Sequence, residues 1–208
     1  MTERTELLIV RHGETRANLD GRWQGHGDSP LTERGTAQAH AIARRLRACS
    51  FDALYSSDLG RARQTAQVIA DRAGHAILLD PCLRERHLGI FQGLTKAEIA
   101  ARYPEEWHAY RRRGPDYVIP GGESARQCFQ RAIARLEAIA HSHPGQSVVV
   151  VTHGGVLNGL FRHALGLPLA QPRRFQIQNA SLNVFWFERG DWMLVTWGDI
   201  SHLGERGT

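Results

Sequence analysis

Four consecutive valines, Val148 to Val151, inside the segment "SVVVVT" constrain this chain more than any other stretch. A β-branched run without polar alternation has no face to offer water. It predicts a strand over 147–151 buried on both faces, as in the middle of a parallel sheet covered by helices. The segment ends on "THGG", and the apolar run "LLIV" at 7–10 ends in the same manner on "RHGE". In open α/β sheets, ligands bind beyond the carboxyl ends of the strands, where helix N-termini also direct their N–H groups. His12 and His153 each follow such a strand, and Gly13 and Gly154 beside them leave room for a ligand to approach the backbone. Either histidine alone reads as a loop residue; the pair marks a candidate site.

Elsewhere helical and strand-like patterns alternate. They predict an α/β fold, a three-layer α-β-α sandwich with a mostly parallel central sheet. Thr32 caps a helix with small and apolar positions at Gly35, Ala39, Ile42, Ala43 and Leu46, and a short strand is expected at 53–55. A second helix carries the stripe Ala62, Ala66, Ile69 and Ala73 and stops at Gly74, before a strand at 76–79. A long helix over 124–141 presents Cys128, Phe129, Ala132, Ile133, Leu136 and Ile139, and another covers 156–165. "SLNVFWF" and "WMLVTW" form a hairpin across Arg189-Gly190. Residues 83–122 are less regular, with two short helices split at Tyr103-Pro104. The expectation is one domain over 1–208, with a small helical insertion over the site at about 94–122.

The 208 residues are 42% hydrophobic and 23% charged, and no apolar run approaches the roughly 18 residues of a membrane span. "MTERTELLIV" resembles neither a signal nor a transit peptide, so cytoplasmic residence and no membrane partner are expected. Cys49, Cys82 and Cys128 are odd in number and lack a CxxC, against a disulfide framework or zinc site. "HSH" at 141–143 has no carboxylate or cysteine cluster beside it and reads as a solvated loop; no metal and no cofactor are expected. The formal charge of +5 is almost all arginine, scattered except for Arg111, Arg112 and Arg113. That pattern fits a small anionic substrate as well as nucleic acid, since a planar guanidinium suits bidentate phosphate recognition; no nucleic-acid partner is expected.

Arg11 beside His12 suggests an anion held against a nitrogen nucleophile. Clustered positive charge disfavours protonation of such an imidazole and keeps it neutral near pH 7. "RHGET", "LTERG", "SSDLGRARQTA", "LRERHLGIFQG", "PGGES" and "VTHGG", in that order, resemble the histidine phosphatase superfamily in its phosphoglycerate mutase-like branch. "NASLNVFWF" and "WGDISHL" extend the resemblance to about residue 203. It implies that His12 is the nucleophile, that Arg11 and Arg61 hold the phosphoryl group, and that His153 stabilises it in transfer. Arg63, two positions on, is expected to face solvent. The resemblance makes Glu85 the proton donor to the leaving oxygen; the competing reading is an ion pair with Arg84, Arg86 or Arg61. Glu14 is the other nearby carboxylate. Asn18 matches a phosphate-contacting residue, though it also reads as a turn former; Thr15 and Gly154 complete the expected substrate-binding set.

The implied activity is a metal-independent phosphomonoester hydrolase working through a phosphohistidine on a small phosphorylated metabolite. Phosphoglycerate mutase is the alternative within the family, and a non-catalytic phosphate or nucleic-acid binder the alternative outside it. The short insertion favours the phosphatase. Arg111 to Arg113 are expected as a solvated helix face or a second substrate contact, and Trp107 and Tyr110 as packing of the insertion. A monomer or homodimer is expected.

Overall fold

The computed structural model describes residues 4–204; the ends of the expected 1–208 unit lie outside the described residues. Its strands form one six-stranded sheet in the order β3 (Ile77–Leu79), β2 (Ala53–Ser56), β4 (Ser147–Thr152), β1 (Thr5–Arg11), β5 (Leu182–Glu188), β6 (Asp191–Asp199). The valine run is β4 (Ser147–Thr152), parallel to β1 (Thr5–Arg11) on one side and to β2 (Ala53–Ser56) on the other. All four valines are fully buried. Val148 and Val150 join one apolar cluster, with Leu7 and Ile9, while Val149 and Val151 join a second, with Leu8 and Val10. A two-period backbone thus puts alternate valines into separate cores, each side chain contributing roughly 1.5–3 kcal/mol by its burial.

Helices cover both faces. α1 (Arg16–Leu19) is a single turn after β1. On one face lie α2 (Glu33–Arg47), capped by the Thr32 hydroxyl accepting from the Gly35 N–H at 2.9 Å, and α3 (Gly60–Ala73). Gly74 ends α3 at φ 75°, a left-handed conformation that an L side chain disfavours. β3 (Ile77–Leu79) is the short edge strand beyond β2.

Segment 83–122 does not join the sheet. Its helices α4 (Lys96–Arg102) and α5 (Pro104–Arg113) meet at Tyr103, and Pro104 occupies the first turn, where its missing N–H leaves no bond unmade. Phe91, Ile99, Tyr117 and Ile119 form a third small core here, packed by Trp23, Trp107 and Tyr110. Trp107 and Tyr110 stack with centroids 5.5 Å apart and ring planes 9° from parallel. Arg111, Arg112 and Arg113 are exposed on the last turn of α5, where cations complement the helix dipole.

The other face carries α6 (Ala125–His141), capped by Ser124 with Gln127, and α7 (Gly154–Ala164). β5 (Leu182–Glu188) runs antiparallel to β1 and turns into β6 (Asp191–Asp199) through Arg189 and Gly190, both at positive φ (55° and 90°). That two-residue turn matches the twist of the hairpin. Among the described residues no helix is long and apolar enough to cross a membrane.

Candidate active site

Strand register assembles the site. Arg11 pairs with Thr152 and Ser56 with Val151, so β1, β4 and β2 end side by side, and the next residues are His12, His153 and Ser57. The His12 N–H donates to the Thr152 carbonyl at 3.0 Å, and the Ser57 N–H to that of Val151 at 3.0 Å. The two imidazoles come to lie 5.2 Å apart between centroids. Both histidines are buried.

The Nδ1–H of His12 donates to the Gly13 carbonyl at 2.7 Å. A carbonyl only accepts, so the proton is on Nδ1, and the neutral ring keeps its lone pair on Nε2. Burial first, then Arg61 and Arg11, holds His12 well below the usual imidazole range. His153 is held low by burial and by Arg61, His12, Arg11 and His26.

The two arginines are anchored by carbonyls and not by carboxylates. Arg11 donates to Ile177 O at 2.5 Å, and Arg61 donates to Gly27 O at 3.0 Å and Gly25 O at 2.8 Å. Their charge therefore stays available to an anion. Burial lowers the Arg11 guanidinium to about 10, opposed by Glu85 and reinforced by Arg173 and Arg61, so it remains a cation at pH 7. Nε of Arg11, Nε of Arg61 and Nδ1 of His153 are buried without a hydrogen-bond partner among the described residues. Unmade bonds of this kind cost stability in a folded protein and are what a bound phosphoryl group would satisfy.

Glu85 accepts the Arg86 N–H at Oε1 (2.8 Å) and the Gly155 N–H at Oε2 (2.9 Å). The ion-pair reading finds its arginines engaged elsewhere. Arg84 grips Asp58 at 2.7 and 2.5 Å, Arg86 donates to the carbonyls of Glu123 and Tyr117, and Arg61 holds the 25–27 turn. The same turn steadies Glu85, since the His26 ring lies 2.8 Å from the Glu85 carbonyl and donates to it through Nε2. Glu14 is directed elsewhere: its carboxylate accepts from the Thr32 hydroxyl at 2.8 Å and lies 3.9 Å from Arg34.

Arg11, His12, Arg61 and Glu85 line a cavity of about 350 Å³ whose other walls include Asn18, Trp23, Leu88, Tyr110, Cys128, Phe129 and Leu169. The helix pattern placed Cys128 and Phe129 on the core face of α6; they are on that face and also form a cavity wall, where burial pushes the Cys128 thiol up. Asn18 lines the cavity, and its Oδ1 accepts from the Thr15 and Asn179 N–H groups. Thr15 is fully buried and its hydroxyl caps α1 through Asn18, so it supports the loop and is not part of the cavity wall. Gly154 opens α7, where an added Cβ would sit 3.6 Å from Arg11 Nε. Arg63 is exposed, and His141 and His143 bond Glu137 O, Tyr55 and Gln146. Ser57, Gly155 and the 25–27 turn are not among the residues expected from sequence; Ser57 follows a strand end just as the two histidines do, and that rule applied to β2 finds it.

The comparisons agree with this geometry. Residues 7–200 match the family model described as the histidine phosphatase superfamily (branch 1). "Phosphoglycerate mutase-like protein 4" of Arabidopsis thaliana is 43% identical, with 97% of this chain and 88% of that protein covered. "Metal-independent phosphoserine phosphatase" of the same plant is 42% identical, with 99% and 86% covered. A mycobacterial glucosyl-3-phosphoglycerate phosphatase solved with VO3 superposes with a TM-score of 0.81 at 35% identity, covering 93% of this chain and 98% of that one. Paired histidines at level strand ends, two carbonyl-anchored arginines and a match along nearly the whole length lead to one conclusion: the chain belongs to the histidine phosphatase superfamily, branch 1.

Proposed function

We propose that this phosphatase hydrolyses small phosphate monoesters by double displacement, with Nε2 of His12 as the nucleophile. The lone pair forms an N–P bond as the P–O bond to the leaving alcohol breaks. Arg11, Arg61 and His153 neutralise charge on the non-bridging oxygens, and Glu85 gives its proton to the departing oxygen. Water then attacks phosphorus, Glu85 takes its proton, and the N–P bond breaks to release phosphate and the free imidazole. Arg11 and Arg61, which hydrogen-bond no carboxylate among the described residues, supply the positive charge, so the reaction as written needs no metal.

The observation that carries this reading is the His12 Nδ1–H bond to Gly13 O, which leaves Nε2 as the free lone pair beside the Arg11 and Arg61 guanidiniums that line the same cavity. The apolar wall of Trp23, Phe129 and Leu169 suits the body of a phosphorylated metabolite, as expected of an enzyme resident in the cytoplasm. Relatives named for phosphoserine and for glucosyl-3-phosphoglycerate support a small phosphorylated metabolite as the substrate.

The test is p-nitrophenyl phosphate hydrolysis with and without EDTA. Turnover that survives chelation and vanishes in His12→Ala supports the mechanism; turnover abolished by EDTA contradicts it. Incubation with 3-phosphoglycerate and traces of 2,3-bisphosphoglycerate separates hydrolase from mutase, and isomerisation outpacing phosphate release overturns the hydrolase assignment.

A further inference from the structure

Ser57 is fully buried, with its Oγ 2.7 Å from Nε2 of His153. The Leu59 N–H donates to the same oxygen at 3.3 Å. A serine hydroxyl has two lone pairs and one proton to give. With Leu59 on a lone pair, Nε2 of His153 is the one acceptor, among the described residues, that the hydroxyl proton reaches. The opposite ring nitrogen, Nδ1, is buried and has no hydrogen-bond partner among the described residues.

Which nitrogen carries the proton matters because His153 is held neutral. A neutral imidazole has a single N–H. If the proton sits on Nε2, Nδ1 presents a bare lone pair that repels a phosphoryl oxygen. If it sits on Nδ1, that nitrogen is a donor. The ring is 5.2 Å from that of the nucleophile, close enough for this difference to act on the group being transferred.

We propose that Ser57 is a positioning residue: its hydroxyl donates to Nε2 of His153, fixes the Nδ1–H tautomer, and makes His153 a hydrogen-bond donor to the phosphoryl group. The donation to phosphoryl rests on the function proposed above; the tautomer assignment does not. The strand register that sets the two histidines side by side also delivers the residue that fixes the second one's proton.

The test is long-range proton–nitrogen correlation NMR on ¹⁵N-histidine-labelled protein near pH 7.5, with His153 assigned by its loss in His153→Gln. The wild type shows His153 protonated at Nδ1 and bare at Nε2. Ser57→Ala shifts it to a mixture or to Nε2–H and weakens inorganic phosphate binding about tenfold or more, the scale of one lost charge-assisted bond. Ser57→Thr keeps the hydroxyl and retains both properties. A wild type protonated at Nε2 overturns the proposal, as does a Ser57→Ala protein with unchanged tautomer and phosphate affinity. Should Ser57→Ala not fold, the wild-type and Ser57→Thr spectra still decide. An unphosphorylated His12 alongside an Nδ1–H His153 supports the tautomer assignment while removing the covalent mechanism.

Discussion

Gly155→Ala isolates Glu85, the proposed proton donor, from the rest of the site. A Cβ at position 155 would stand 2.0 Å from Glu85 Oε1 and 3.0 Å from its Cδ, whereas real Cβ contacts essentially never fall under 3.0 Å. The obstructing atoms are the far end of a flexible side chain, so the carboxylate moves and the backbone does not. It must retreat by about 1 Å, giving up its 2.9 Å bond from the Gly155 N–H, and a misplacement of that size at a reacting group costs on the order of 10²-fold. The helix itself benefits, because Ala replaces Gly in the first turn of α7 and favours helix by roughly 0.5–1 kcal/mol. The expected result is a kcat about 10²-fold lower for alkyl phosphates, whose alkoxide needs a proton, at an unchanged or higher melting temperature. p-Nitrophenyl phosphate, whose leaving group departs unprotonated, should lose far less. Steady-state kinetics on the two esters and a thermal melt measure all three quantities. Equal losses on both esters would refute Glu85 as the acid, and no loss on either would refute the crowding.

Arg61→Gln removes the largest charge acting against protonation of His12, so the acid limb of kcat/KM should move to higher pH while its plateau falls about 10²–10³-fold; an unmoved limb contradicts the electrostatic reading. His12 and His153 are both held below the free-imidazole value, so as pH falls the unfolded chain takes up protons on them first. Stability is then complete above about pH 6.5 and declines below it by up to about 1.4 kcal/mol per pH unit for each histidine. Urea unfolding from pH 5 to 8 should show a shallower slope in His153→Gln than in wild type, and equal slopes count against the buried neutral state. Val149→Thr and Val150→Thr nearly preserve volume and each bury a hydroxyl, so each should cost about 1–3 kcal/mol in chemical denaturation. A neutral result at either would mean that one face of β4 is not a core.

The valine run and the two histidine-glycine endings made the central strand and the heart of the site readable, because both depend on local pattern and on how parallel strands end. Helix starts at Thr32 and Ser124 and the stop at Gly74 were equally legible, since caps are local chemistry. What was not legible depends on contacts far apart in sequence. Gly25, His26 and Gly27 look like an ordinary polar turn, and only the fold shows them joining Arg61 to Glu85. Thr15 is expected among the substrate-binding residues, yet its hydroxyl is occupied by capping α1. Cys128 and Phe129 obey the helical stripe, but periodicity does not distinguish a core wall from a cavity wall.

The central claim is that phosphorus becomes bonded to residue 12. Rapid quench with ³²P-labelled substrate, alkaline digestion and peptide mass spectrometry tests it directly. The account predicts an acid-labile, base-stable adduct on the peptide containing His12, absent in His12→Ala and accumulating in Glu85→Gln when a good leaving group is used. An adduct on any other side chain, or turnover without one in both proteins, contradicts it.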